Sequence, residues 1–387
     1  MKPRMKPGKF TAIFGPLSAV ALAVAIAVNP IADSFDVTLN NLGGGLGQGE
    51  LVVNQIKGSE NWDTNYVNAT LTTAEATRAH GAEVTTKLAQ EGIVLLKNKN
   101  NTLPLAKTEA IAPMGYYYAH PVYGGTGSGN VNTSADYVYS PKKALNEVFG
   151  AANVDATIGA VAENADNIHN ISEAEGTMAA SRGGGMFSAD DVMHGINIDA
   201  YTAVQDNLTG KNALIFIGRG GGESFDLKND GYADGSKHKL VLSKDEKDLI
   251  ALAKAKAKSV TVVINSSNAM ELGVLESGDY EVDAILLAGG PGATGFKALA
   301  QILAGDVNPS GRTADIFPAD FTLDPTFANF GDYSYTNASY TFNGNPGNAH
   351  FVEYEEGIYM GYKYYETMHR EIKDGHVDLN AAATKKA

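Results

Sequence analysis

Cysteine is absent from all 387 residues. Disulfides, thiolate nucleophiles and cysteine-ligated zinc are therefore excluded. Positive charge is scarce as well. Thirty Lys and Arg stand against 44 Asp and Glu, for a formal net charge of -14, a balance that argues against nucleic acid and anionic membrane surfaces as partners. No GxxxxGK[ST] phosphate loop occurs, and the glycine run at Gly218–Gly222 lacks the GxGxxG spacing. Nucleotide cofactors are not expected. Eight scattered histidines form no HExxH or HxxxH pair, so His194, just beyond Asp190 and Asp191, does not suggest a metal site. The 43 glycines follow no short period, which places them in loops and excludes a collagen-like repeat.

One long apolar run is present. Lys2, Arg4, Lys6 and Lys9 precede the uncharged stretch Phe10–Val28, which just reaches the ~20 residues that a membrane-spanning helix requires. Positive charge ahead of the span predicts export of everything after it. Residues 1–34 read as a membrane anchor, with a cleaved signal peptide as the alternative. The body is then expected at the outer face of the cytoplasmic membrane or outside the cell. Residues 35–71 read as a glycine-rich arm.

Organised patterning begins at Thr72-Thr73-Ala74-Glu75, a capping-box sequence opening a helix to about Gln90. Pro141–Phe149 starts as a helix with proline at its first position. Ser243–Lys258 carries a cap, an acidic first turn and a lysine-rich end. The runs Ala213–Ile217, Ser259–Ile264 and Val282–Leu287 are short and continuously apolar, as strands buried on both faces should be. A helix follows the last of them, from about Phe296 to Leu303. Strand, loop and helix at this interval predict an α/β fold, a three-layer α/β/α sandwich with a mostly parallel sheet. Residues 72–330 are assigned to it, and 331–387 to a linker.

In such a sheet the loops beyond the carboxyl ends of the strands share one edge, where ligands sit. The loops after Ile217, Ile264 and Leu287 collect there Arg219, Glu223, Asn268, Glu271 and the amides of Gly292 and Gly295. Glu223, on its glycine-rich loop, is either a solvated residue in a surface turn or a carboxylate placed for chemistry. The glycine loop Tyr123–Asn130 and the segment Ser181–Gly185 are further candidates for a ligand rim and a mobile loop.

Five ordered segments carry a resemblance. EGIVLLKNKNNTLPL (91–105), IGRGGGESFD (217–226), VVINSSNAMELG (262–273), LLAGGPGATG (286–295) and GDVNPSGRTADIFP (305–318) resemble the sandwich domain of family 3 glycoside hydrolases, the β-glucosidase group. GDYSYTNASY (331–340) and FVEYEEGIYMGYKYYET (351–367) are similar to the bacterial members in which this domain precedes the catalytic barrel. The resemblance implies retaining exo-hydrolysis of a terminal sugar on an oligosaccharide or β-glucoside. It implies a nucleophilic aspartate from the barrel, and a glutamate from this domain as acid/base. That glutamate matches Glu223, and the aspartate after it matches Asp226. Ser224 stands where the family usually has glycine. Retention requires two carboxylates about 5–5.5 Å apart, and only one can be assigned here. A (β/α)8 barrel takes about 250 residues, while only a few dozen follow Tyr354. The expectation is a truncated or split member whose barrel comes from a longer product or a partner chain, and the alternative is a non-catalytic carbohydrate-binding remnant.

Overall fold

The computed structural model describes residues 58, 70–125, 129, 131–133, 136–171, 193–220, 231–232, 235–330, 333–342 and 345–377. Its contacts separate Met1–Thr70 from Leu71–Ala387, and the elements below all belong to the second unit. Phe10–Val28 and Gly43–Gly47 lie outside the described residues, as do Ser181–Gly185, Asp190 and Asp191. Among the described residues no helix is long and apolar enough to cross a membrane.

The strands are β1 (Val94–Asn98), β2 (Ile111–Met114), β3 (Ile168–Asn170), β4 (His194–Ile196), β5 (Asn212–Arg219), β6 (Ser259–Ser266), β7 (Ala284–Leu287), β8 (Tyr333–Phe342) and β9 (Asn345–Phe351). The helices are α1 (Ala74–Gly92), α2 (Tyr116–Ala119), α3 (Pro141–Phe149), α4 (Ala156–Glu163), α5 (Ile198–Thr202), α6 (Lys244–Lys256), α7 (Gly273–Glu276), α8 (Gly295–Leu303), α9 (Pro325–Asn329) and α10 (Tyr362–Lys373). Five strands form the central sheet in the order β1-β7-β6-β5-β2. The pairings β2–β5, β5–β6 and β6–β7 are parallel, and only β1 runs antiparallel at its edge. The result is an α/β sandwich with a mostly parallel sheet.

Helix cover explains the apolar runs. Every residue of β5 is buried, and so are seven of the eight in β6, because helices pack on both faces. Helix α6 lies against β5 and β6 and touches α5, whereas α8 packs between α1 and α3. Parallel neighbours need such crossovers, and the same twist that makes them right-handed returns each helix onto the sheet.

Local signals set the helix starts. Ser140 caps α3 through the Lys143 amide with Pro141 in the first turn, and Ser243 and Glu246 form a reciprocal capping box on α6. The box expected on α1 is shifted. Thr73, not Thr72, is its cap and accepts from Ala76, which leaves Glu75 at the second position, unable to reciprocate. Helix α1 buries only Ala89. It is held to α8 instead by polar contacts, Thr85 Oγ1 to Thr294 Oγ1 at 2.8 Å and Gln90 Nε2 to Gln301 Oε1 at 2.7 Å.

Candidate active-site rim

Strands β5, β6 and β7 end side by side, with Arg219 paired to Ser266 and Ile264 to Leu287. The expected break at Gly218 does not occur, and β5 continues two residues past Ile217. Gly218 is needed within the strand because a Cβ there would lie 2.6 Å from the Tyr117 ring and 2.7 Å from the Asn265 carbonyl oxygen. β6 likewise continues past Ile264 through Asn265 to Ser266.

Arg219 corrects an expectation. It is not open at the rim but fully buried. Its Nε donates to Lys239 O at 2.6 Å. Its Nη1 donates to Gly218 O at 2.6 Å and Glu246 Oε1 at 2.7 Å, and its Nη2 to Val241 O at 2.7 Å and Glu246 Oε2 at 2.9 Å. A guanidinium has five N–H groups, so none remains for a sugar. Burial opposes its charge, but the Glu246 carboxylate more than offsets that and the pKa is raised overall. Tyr232 adds its ring, 5.6 Å from the guanidinium carbon, and its hydroxyl, which donates to Lys239 O at 2.6 Å. Arg219 therefore ties the strand from which the glycine-rich loop departs to the chain that returns at 239–241. Glu223 and Asp226, between these flanks, lie outside the described residues.

Asn268 does reach the base of that loop, donating from Nδ2 to Gly220 O at 3.2 Å. Ser266 holds it there, with Oγ accepting from the Asn268 amide at 3.1 Å and donating to its carbonyl at 2.9 Å. Glu271 is turned away from solvent. Its Oε1 accepts from the Phe321 amide at 2.7 Å and lies 2.9 Å from His238 Nε2. Because His238 Nδ1 accepts from the Leu240 amide at 3.2 Å, the ring proton sits on Nε2 and is donated to Glu271. Glu271 thus fastens the returning chain to the 320s segment.

The glycine amides are also occupied. Gly292 N–H donates to Tyr123 O at 2.7 Å, and Gly295 N–H to Gly292 O at 3.3 Å. Gly292 has φ +74°, and a Cβ on Gly295 would stand 2.3 Å from that of Pro291. These two glycines shape the turn into α8 and offer no free anion-binding amides. His194, in β4, lies with its ring 5.0 Å from that of Tyr116.

Two features of this edge escaped the sequence reading. Asn265, fully buried, accepts from the Val122 amide at 2.8 Å and donates to Val122 O at 2.8 Å and Gly289 O at 2.7 Å. It locks two loops of the rim to the end of β6, and its only sequence signal was a polar residue directly after an apolar run. Beside it is a cavity of about 190 Å³ at the ends of β6 and β7, lined by Ser266, Ser267, Asn268, Gly289, Arg312 and Asp315 among others. Such a lining offers hydroxyl, amide, guanidinium and carboxylate groups to a polyhydroxylated ligand.

The glycosyl hydrolase family 3 C-terminal domain matches residues 93–362. The chain is 29% identical over 281 residues to thermostable beta-glucosidase B of Acetivibrio thermocellus, covering 72% of this chain and 30% of that protein. It is 28% identical over 303 residues to beta-glucosidase A of Butyrivibrio fibrisolvens, covering 74% and 32% respectively. Among solved structures, beta-glucosidase 3B from Thermotoga neapolitana in complex with glycerol superposes with a TM-score of 0.53 at 26% identity, over 75% of this chain and 36% of that one. A beta-glucosidase from Paenibacillus barengoltzii gives 0.54 at 25% identity, over 74% and 27%. The chain spans about a third of the length of the relatives it matches.

Proposed function

This chain belongs to the glycosyl hydrolase family 3 C-terminal domain family, and we propose that it supplies the proton-donating half of a retaining β-glucoside hydrolase. Glu223 is the acid/base in this reading, acting on the glycosidic oxygen of a terminal β-linked sugar. The supporting observation is the clamp at the loop's base. Arg219 joins the end of β5 to Lys239 and Val241, and Asn268 joins Gly220 from the neighbouring strand. A donor must be held within hydrogen-bond reach of the oxygen it protonates, and a loop rooted on two strand ends and a buried ion pair suits that requirement. Asp226 orients the loop or bonds sugar hydroxyls.

The second carboxylate, the nucleophile, belongs to a barrel domain in a longer product or a separate chain. Closure of that domain over the rim supplies the desolvation and the like-charged neighbour that raise the pKa of an acid catalyst. In keeping with the apolar segment Phe10–Val28, the body works outside the cytoplasmic membrane and is tethered to it.

A leaving-group series tests the assignment. In the complex or fusion with a barrel, Glu223→Gln is expected to lower turnover of poor leaving groups by roughly 10²- to 10⁴-fold, and much less for aglycones that need no proton. The 387-residue chain by itself is expected to hydrolyse aryl β-glucosides no faster than its Glu223→Gln variant. Asp226→Asn should affect good and poor leaving groups alike. If Asp226→Asn steepens the dependence on leaving-group pKa while Glu223→Gln leaves it unchanged, the assignment is wrong.

A further inference from the structure

A concave groove of about 590 Å³ lies among α9, the β8–β9 hairpin and α10. Its aromatic wall is built by pairing. Tyr333 stands directly across from Phe351, with ring centroids 5.7 Å apart, and Tyr335 backs Phe351 with its ring 4.7 Å away and tilted by 44°. The opposite wall is fixed by hydrogen bonds. Tyr364 donates from its hydroxyl to Leu323 O at 3.0 Å, and Asn329 Nδ2 donates to Glu353 O and, at 3.0 Å, to Glu356 Oε2. The exposed carboxylates of Glu353 and Glu355 stand at the groove.

We propose that this groove is a carbohydrate-binding site for a neutral oligosaccharide. The volume is that of a small-ligand pocket, which runs from about 300 to 1,000 Å³. Aromatic faces accept the apolar C–H faces of pyranose rings, while the carboxylates and the Asn329 amide oxygen accept from their hydroxyls. Three glutamates in one groove reject phosphorylated and uronic saccharides by like charge. The ligand class follows from this lining alone, and only the choice of a glucose oligomer as probe rests on the proposed function. Binding here is independent of Glu223.

The test is titration calorimetry of the full chain, in a detergent without a sugar headgroup, with cellotetraose and with tetragalacturonate. Cellotetraose is expected to bind and the anionic oligomer to bind at least ~10-fold more weakly. Tyr333→Ala should weaken cellotetraose by about 2- to 10-fold, the worth of one stacked ring, with Tyr333→Phe restoring it. Glu353→Gln/Glu355→Gln should selectively improve tetragalacturonate, a gain that loss of folding cannot mimic. Glu223→Gln should bind cellotetraose as the parent does, which separates this site from the acid/base assignment. Equal binding of both oligomers, no binding of either, or a Tyr333→Phe variant as weak as Tyr333→Ala would overturn the proposal. So would self-association, measured by sedimentation, that Tyr333→Ala abolishes and cellotetraose leaves unchanged, since the occupant would then be a second copy of the chain.

Discussion

Removing Glu246 should unfold more of this protein than its position on a surface helix suggests. Glu246→Ala deletes a carboxylate whose side chain is only 14% exposed and leaves Arg219, at 0%, charged in the interior. Arg219 cannot escape by losing its proton, since a guanidinium stays charged at any accessible pH. Breaking a buried ion pair from one side costs about 3–5 kcal/mol. Glu246 also accepts from the Ser243 amide at 2.9 Å as half of the α6 capping box, so about 1 kcal/mol of the loss belongs to the cap. Arg219→Met removes the charge but takes a donor from the carbonyls of Gly218, Lys239 and Val241, of which Lys239 keeps the Tyr232 hydroxyl, and leaves the Glu246 carboxylate without its counter-charge. Unsatisfied buried acceptors cost about 1–3 kcal/mol each, less where the chain relaxes, and a total of about 3–5 kcal/mol is expected. The double variant Arg219→Met/Glu246→Ala should then cost less than the sum of the singles by about 2–3 kcal/mol, the upper range for neighbours in one network. Against a whole-domain stability of about 5–15 kcal/mol, each single change is a large fraction. Urea unfolding followed by circular dichroism, with the slope compared across variants, gives all four corners of the cycle. The exposed Lys244–Asp248 pair on the same helix is the control, since an exposed pair contributes little and is screened by salt. If Glu246→Ala costs under ~1 kcal/mol, or the singles add within about 0.5 kcal/mol, then Arg219 is not held by Glu246 and the clamp at the loop base is misread.

Two further outcomes are expected. Asp155, which caps α4 and pairs with Lys211, has its pKa lowered. Burial alone would raise it, but the Lys211 ammonium and the Ile158 amide outweigh burial. A depressed carboxyl stabilises the fold above its ordinary value of 3.8 and loses that contribution as pH falls through the lower folded value. Asp155→Asn, which keeps the cap, should therefore be less stable than the parent by roughly 1–2 kcal/mol at neutral pH, and the gap should close below about pH 4. A gap that persists at pH 2 would refute the linkage. For the proposed location, fractionation of the native host should recover the full-length chain in the membrane fraction, degraded by protease added to spheroplasts. Recovery in the cytoplasmic fraction would contradict export.

Relatives and fold were legible because the signals were local and ordered. Five separated motifs in sequence resembled one domain family, and the family match over 93–362 spans all five except two residues at the start of the first. Continuous apolar runs marked β5 and β6 because a strand covered on both faces has no polar side. Strand ends were misjudged where polar residues sit inside the strand. Gly218, Arg219, Asn265 and Ser266 read as loop, yet all continue the ladder.

The candidate site divides more sharply. Which residue types collect at the sheet edge followed from chain order alone, since a parallel sheet with right-handed crossovers sends every such loop to one edge. Whether each residue is offered to a ligand did not follow. Arg219, Glu271 and Gly292 share that edge, but each spends hydrogen bonds on partners distant in sequence, among them Glu246, His238, Phe321 and Tyr123, and Gly295 spends its amide on Gly292. A local pattern carries no record of such pairings. Sequence determined the family, the order of strands and helices and the edge where the loops gather. Only tertiary packing decided that an arginine next to a carboxylate loop is a buried clamp, because five hydrogen-bond acceptors converge on it from three segments of the chain.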